Sequence, residues 1–163
     1  MSPLTFESWY QTAYPRLVRS LTAVCGDADL AADATAEALA RLWERWDAGA
    51  VVNPDGWTFQ VALNLVRRGQ RRLALERTIL RRERQTPQRE PDVHPEVWRA
   101  LNELPRRQRE AIALRYVADL TEADVAHVMG VAVGTASATL TSARRTLATA
   151  LDHLNLEETH GRH

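Results

Sequence analysis

The sequence contains no lysine; all 21 basic residues among its 163 are arginine. Lysine chemistry is therefore excluded. Each positive charge is permanent and forked, a shape suited to paired contacts with phosphate or carboxylate. Cysteine is almost absent as well. Cys25 stands alone, so no disulfide can form within the chain, and its place at the end of an apolar stripe predicts a small buried thiol rather than a redox sensor. Nowhere do eighteen apolar residues run together, and the opening MSPLTFESWYQ has no basic leader and no apolar core, so neither a membrane span nor export is expected and the protein is expected in the cytoplasm. A nucleotide-binding glycine loop and a zinc-protease motif are both missing. His160 and His163 lie near the end of the chain without the cysteine or carboxylate set that a metal site needs. No cofactor, metal or enzymatic activity is expected.

What is present is a folded-protein composition, 45% apolar and 26% charged, in a length that fits one or two small domains. The net charge of zero conceals an uneven layout. Met1 to Val66 carries four arginines against eight acids, Arg67 to Arg89 nine against two, and the remainder eight against eleven. A block of cations in mid-chain points to a polyanionic partner, although a basic helix can also be a merely solvated surface.

Three amphipathic segments fill the first half. Thr5 precedes Phe6, Trp9, Tyr10, Ala13, Tyr14, Leu17, Val18, Leu21 and Val24, one helical face ended by Gly26. Pro15 is expected to kink that helix or divide it. Asp27 or Asp29 caps the next, whose stripe is Leu30, Ala31, Ala34, Ala38, Leu39, Leu42, Trp43 and Trp46, with Gly49 near its end. Its outer side carries Asp33, Glu37 and Arg41 four residues apart, a ladder that can simply solvate the surface and support the helix. Asn53 and Pro54 open a third helix with an inward stripe of Trp57, Val61, Ala62, Leu65 and Val66. The composition then switches to RRGQRRLALERTILRRER, where Arg67, Arg68, Arg71 and Arg72 occupy adjacent columns one turn apart and form a cationic patch. Such a patch binds phosphate strongly, with steep salt dependence and little sequence information.

From Gln85 to Pro95 three prolines and no periodicity mark an extended linker that spans at most about 35 Å. Pro95 starts a short helix with Val97, Trp98 and Leu101, and Pro105 another with Ile112, Ala113, Tyr116 and Val117 inward. The expected architecture is all-α: a helical domain over 1–84, a linker over 85–95, a four-helix domain over 96–155 and a frayed polar tail over 156–163.

Within the second domain, TEADVAHVMGVAVGTASATLTSARR from Thr121 to Arg145 reads as two helices joined by a tight turn. Thr121 and Asp124 have capping-box spacing, Val125, Val128 and Met129 form an apolar stripe, and Gly130 ends the helix. A second stripe follows at Ala136, Leu140, Ala143, Leu147, Leu151 and Leu154. Spacing alone fits an ordinary helical hairpin as well as a DNA-binding helix-turn-helix.

The stretch from Leu101 to Leu147 resembles, without gaps, the C-terminal promoter-binding region of bacterial sigma factors. The matching positions are Leu104-Pro105, Arg107 to Glu110, Leu114 to Tyr116, Ala126, Gly130, Val133-Gly134-Thr135 and Ala143-Arg144. GDADLAADATAEALARLWERW is similar to the segment with which these proteins dock on the clamp helices of RNA polymerase, and NPDGWTFQVALNLVRRGQRR to their promoter-melting, minus-ten-reading segment. The resemblance is to the extracytoplasmic-function kind, with regions 2 and 4. It implies polymerase contacts at Asp33, Glu37, Arg41 and Trp43, and opened promoter DNA at Trp57, Asn64, Arg67, Arg68, Arg71 and Arg72. It implies upstream DNA contacts at Thr121, Gly134, Thr135, Ser137, Thr139, Ser142, Arg144 and Arg145. The implied partners are core RNA polymerase, promoter DNA and an anti-sigma protein that clamps the two lobes.

The chain departs from the family at four places. Ala36 replaces a usual glutamine, Leu39 a usual aromatic and Ala132 a usual serine cap. The second helix of the motif exposes no charge before Arg144 and Arg145, which predicts weak upstream recognition, since hydroxyls discriminate bases poorly. Two readings stay open: a sigma factor that directs RNA polymerase to promoters, or a sigma-like paralogue that binds polymerase or a regulator without reading DNA.

Overall fold

A computed structural model describes residues 5–47, 50–80 and 94–160, with the side chains of residues 80 and 154–160 outside the description. Gly49, most of the linker and His163 fall outside the described residues. Among those described there are seven α-helices and no strand, and the chain divides into two compact units, Met1–Arg89 and Glu90–His163.

The first unit is built from α1 (Phe6–Cys25), α2 (Ala28–Trp46) and α3 (Pro54–Leu80). Local chemistry sets their ends. Thr5 and Asp27 each accept a hydrogen bond from the backbone N–H three residues on, at 3.2 and 2.9 Å, and Asn53 accepts from Gly56 N–H at 3.0 Å. Gly26 closes α1 at φ 72°, a conformation that favours glycine. Of the two outcomes expected at Pro15, a kink or a division, the division does not occur, since α1 runs unbroken through it. Buried packing comes from Trp9, Ala13, Leu17, Leu21 and Val24 against Ala31, Ala34, Ala38 and Leu42. The alanines of α2 keep that helix thin enough to be sandwiched.

The inward face of α3 differs from the expected one. Phe59, Ala62, Leu63 and Val66 are buried, whereas Trp57, Val61 and Leu65 are only half-buried. The helix is turned by about one residue relative to the sequence reading. Close packing continues past the core: a Cβ at Gly69 would come within 2.5 Å of Leu30 Cδ1, so this glycine lets the arginine-rich part of α3 lie against α2. An Arg16–Asp55 ion pair ties α1 to the first turn of α3. Cys25 is half-buried rather than buried, with Sγ donating to Asp27 O at 3.2 Å.

The second unit contains α4 (Pro95–Glu103), α5 (Arg106–Ile112), α6 (Glu122–Met129) and α7 (Val133–His160). Helix α7 therefore continues through most of the segment expected to be a frayed tail. Its core gathers Trp98, Leu101, Leu104, Ile112, Leu114, Val125, Val128, Met129, Ala136, Leu140 and Ala143. Arg109 Nη2 donates to Asn102 O and Leu104 O, which holds the end of α4 against α5. After α5 the chain makes one π-helical turn, Ala113–Val117, closed by Ala118 N–H to Ala113 O at 3.0 Å. That widened turn inserts a residue into the helical register. Tyr116, expected to point inward, is consequently 55% exposed, and Val117 is half-buried.

Candidate nucleic-acid interface

The face of α3 opposite its buried residues carries Trp57, Asn64, Arg68 and Arg71 at spacings of seven, four and three, a single column along the helix. From Trp57 to Arg71 this column runs roughly 21 Å. Arg68, Arg71 and Arg72 are exposed, and Arg67 is half-buried with Nη1 at 3.5 Å from Asn64 Oδ1. Arg72 Nε lies 3.3 Å from Glu76, but its side chain remains 79% exposed, so this is a solvated pair that a phosphate can displace. Arg68, Arg71 and Arg72 therefore present their guanidiniums to solvent. Trp57 has the Arg45 guanidinium 5.6 Å from its ring centroid, so an indole and a cation stand at the upstream end of the arginine column. A cationic track beside an aromatic platform is the arrangement that holds unstacked single strands.

On α2, Asp33, Glu37 and Arg41 line one exposed or half-exposed side, with Glu37 Oε1 and Arg41 Nη2 at 2.9 Å. Trp43 is not on that line. It sits on the flank facing α1, 55% exposed, edge-on to Phe6 with ring centroids 4.8 Å apart. Phe6 also meets Trp46 at 5.3 Å, and Trp9 meets Trp46 at 5.6 Å, so Trp43 is the exposed rim of an aromatic cluster beside the charged ladder.

In the second unit, Thr121 caps α6 by accepting from Asp124 N–H at 3.1 Å, and its hydroxyl donates to Asp124 Oδ2 at 2.7 Å. Gly130 ends the helix at φ 70°, and Val131 N–H reaches back to Ala126 O at 3.0 Å. Three residues later α7 begins, and the axis turns by 103° between Glu122–Met129 and Val133–His153. That angle and that connection are those of a helix-turn-helix. Ala136, Leu140 and Ala143 face the core, leaving Gly134, Thr135, Ala138, Thr141, Ser142, Arg144 and Arg145 exposed and Ser137 and Thr139 half-buried.

Three interactions here were not foreseen from the sequence. Arg144 Nε donates to the Tyr116 hydroxyl at 2.7 Å, Arg144 Nη2 stands 3.6 Å from Glu122, and Gln108 Nε2 donates to Ser142 Oγ at 3.1 Å. The Tyr116 hydrogen bond raises the Arg144 pKa above its ordinary value, with Glu122 adding to the effect. Among the described residues no group of three or more His, Cys, Asp or Glu side chains is placed to hold a metal ion, and no single helix is long and apolar enough to cross a membrane.

Residues 9–76 match the family model for sigma-70 region 2, and residues 94–147 match that for sigma-70 region 4. In fold the chain is similar to the sigma factor RpoE of Bartonella quintana, solved with the anti-sigma factor NepR. The TM-score is 0.75 at 23% identity, over 90% of this chain and 96% of that one. It is also similar to CnrH, solved with the cytosolic domain of CnrY, with TM-score 0.62 at 20% identity over 91% of this chain and 88% of that one. No curated protein matches the sequence.

Proposed function

The chain belongs to the sigma-70 family, with regions 2 and 4 together taking in most of its length, and from that premise we infer an extracytoplasmic-function sigma factor that directs RNA polymerase to specific promoters and initiates transcription. The observation that carries the division of labour is the solvent-facing column of α3. Trp57, Asn64, Arg68 and Arg71, flanked by Arg67 and Arg72, engage the opened minus-ten strand. The arginines supply phosphate affinity, and the indole and amide supply stacking and edge contacts to unpaired bases. Asp33, Glu37 and Arg41, with Trp43 beside them, dock on core polymerase. The helix-turn-helix of α6 and α7 engages upstream duplex DNA through Thr121, Gly134, Thr135, Ser137, Thr139, Ser142, Arg144 and Arg145.

The similar folds RpoE and CnrH are both described in complex with a second protein, NepR and CnrY, the first of these an anti-sigma factor. By analogy this chain has an anti-sigma partner that clamps its two lobes. The alternative of a paralogue that never reads DNA has the exposed arginine column against it, because the solvent-facing guanidiniums of Arg68, Arg71 and Arg72 on one helix suit a polyanion.

Run-off transcription tests the assignment. Core polymerase is expected to transcribe a cognate promoter only when this chain is added, and to lose that activity when Arg67, Arg68, Arg71 and Arg72 become alanine. A chain that binds core polymerase yet yields no transcript from any genomic fragment belongs to the alternative class.

A further inference from the structure

On the reading that α7 enters the upstream major groove, on which this rests, we propose that it selects DNA through the methyl groups of thymine rather than through hydrogen bonds to purine edges. Between Val133 and Ala143 the helix has no arginine, lysine, asparagine, glutamine or acid. The two-pronged pairings of arginine with guanine and of asparagine or glutamine with adenine are therefore missing from the turns that approach the bases.

The threonine hydroxyls of the middle turns do not fill the gap. Thr139 Oγ1 donates to Thr135 O at 2.8 Å and Thr141 Oγ1 to Ser137 O at 2.9 Å. A hydroxyl has one proton. Spent on a backbone carbonyl four residues back, it cannot be given to guanine O6 or N7, adenine N7 or thymine O4. What each threonine keeps is its methyl and an oxygen that can only accept, from adenine N6 or cytosine N4. Ser142 Oγ accepts from Gln108 Nε2 at 3.1 Å, and the single bond that a Thr135, Ser137 or Ser142 hydroxyl can give a base discriminates poorly. Beside these, Val133 is 54% exposed and Ala138 is exposed with nothing but a methyl to offer. The outward surface of the first three turns is thus methyl-rich, and the one apolar group a base pair shows in the major groove is the thymine 5-methyl. Arg144 and Arg145 follow immediately and supply orientation on phosphate without competing for base edges.

The test uses the full chain assembled with core polymerase. A promoter library randomised in the upstream element is selected for binding, and each thymine of the selected element, on either strand, is then replaced by deoxyuridine, which deletes the methyl and preserves pairing. Affinity is expected to fall about fourfold at each thymine read, the worth of burying one methylene-sized group. Thr141→Ser is expected to bring the thymine-over-uracil ratio at one position toward unity, whereas Thr141→Val keeps it. If selection enriches an element that is indifferent to every deoxyuridine replacement, methyl reading is wrong while the placement of α7 in the groove stands. If selection enriches no upstream sequence at all, both fall together.

Discussion

The Tyr116 hydroxyl accepts from Arg144 Nε at 2.7 Å, and the same guanidinium lies 5.8 Å from the centroid of the tyrosine ring, so one exposed aromatic fixes the first cation after the recognition surface. The Arg115 guanidinium is 5.7 Å from the same centroid. The π-helical turn is what brings the ring there. Removing only the hydroxyl, by Tyr116→Phe, is expected to lower stability slightly, because this bond is open to water. Tyr116→Ala also removes both cation–π contacts and is expected to cost more. Thermal unfolding followed by circular dichroism should rank the melting temperatures wild type, Phe, Ala. A Phe variant as stable as the wild type would mean that the bond contributes nothing in solution.

The exposed column on α3 makes a prediction about salt. Each arginine that contacts a single-strand phosphate contributes about 0.7 to the slope of log affinity against log salt concentration. Replacing Arg68 or Arg71 by alanine should therefore flatten that slope by about 0.7 for binding of the assembled polymerase to a pre-opened promoter, and the two losses should add. Arg72 should count for less, since it must first give up Glu76 at 3.3 Å. Equal slopes for wild type and variants would show that α3 does not touch the backbone.

Glu37 and Trp43 separate two contributions to polymerase docking. Glu37 is exposed and paired to Arg41 at 2.9 Å, so Glu37→Arg places like charges one turn apart at a stability cost of a few tenths of a kcal/mol. Any larger effect on assembly with core polymerase reports the interface. Trp43→Ala removes a 55% exposed ring that packs on Phe6, and is expected to weaken assembly at least tenfold if the indole is buried by the partner, in line with tryptophan anchors at protein interfaces. Titration of labelled chain with core polymerase checks both. Unchanged affinity for the two variants would remove α2 from the docking surface.

Helix ends were the most legible part of the fold in the sequence, because a cap depends on residues within one turn. Asn53 and Thr121 cap the helices they precede, Asp27 rather than Asp29 caps α2, and Gly26 and Gly130 take the left-handed stops. Faces were less legible. Trp57 was read both as inward and as a DNA contact. The burial of Phe59, Ala62, Leu63 and Val66 resolves that conflict by turning Trp57 toward the arginine column. Apolar residues occupy both sides of that segment, so periodicity alone could not choose. Tyr116 was misplaced because an even 3.6-residue period was carried through a stretch where the backbone takes a wider turn. The direction of the threonine hydroxyls on α7 has no sequence signal, since the same side chain can bond its own backbone or a partner.

Ala132 supplies the last prediction. It precedes Val133 at the start of α7, where its carbonyl accepts from Ala136 N–H at 3.0 Å but its methyl can accept nothing from the free amides of the first turn. Ala132→Ser provides that acceptor, and a serine N-cap in place of alanine is worth about 1 kcal/mol. In a unit of this size such a gain raises the melting temperature by about 4–8 °C. The substitution leaves Thr135, Ala138 and Thr141 untouched, so the base preference of the upstream element should stay the same while the unit melts higher. A stabilised variant with altered preference would show that the first turn of α7 itself contacts bases, and a variant with no gain in stability would show that the turn before α7 holds residue 132 out of capping geometry.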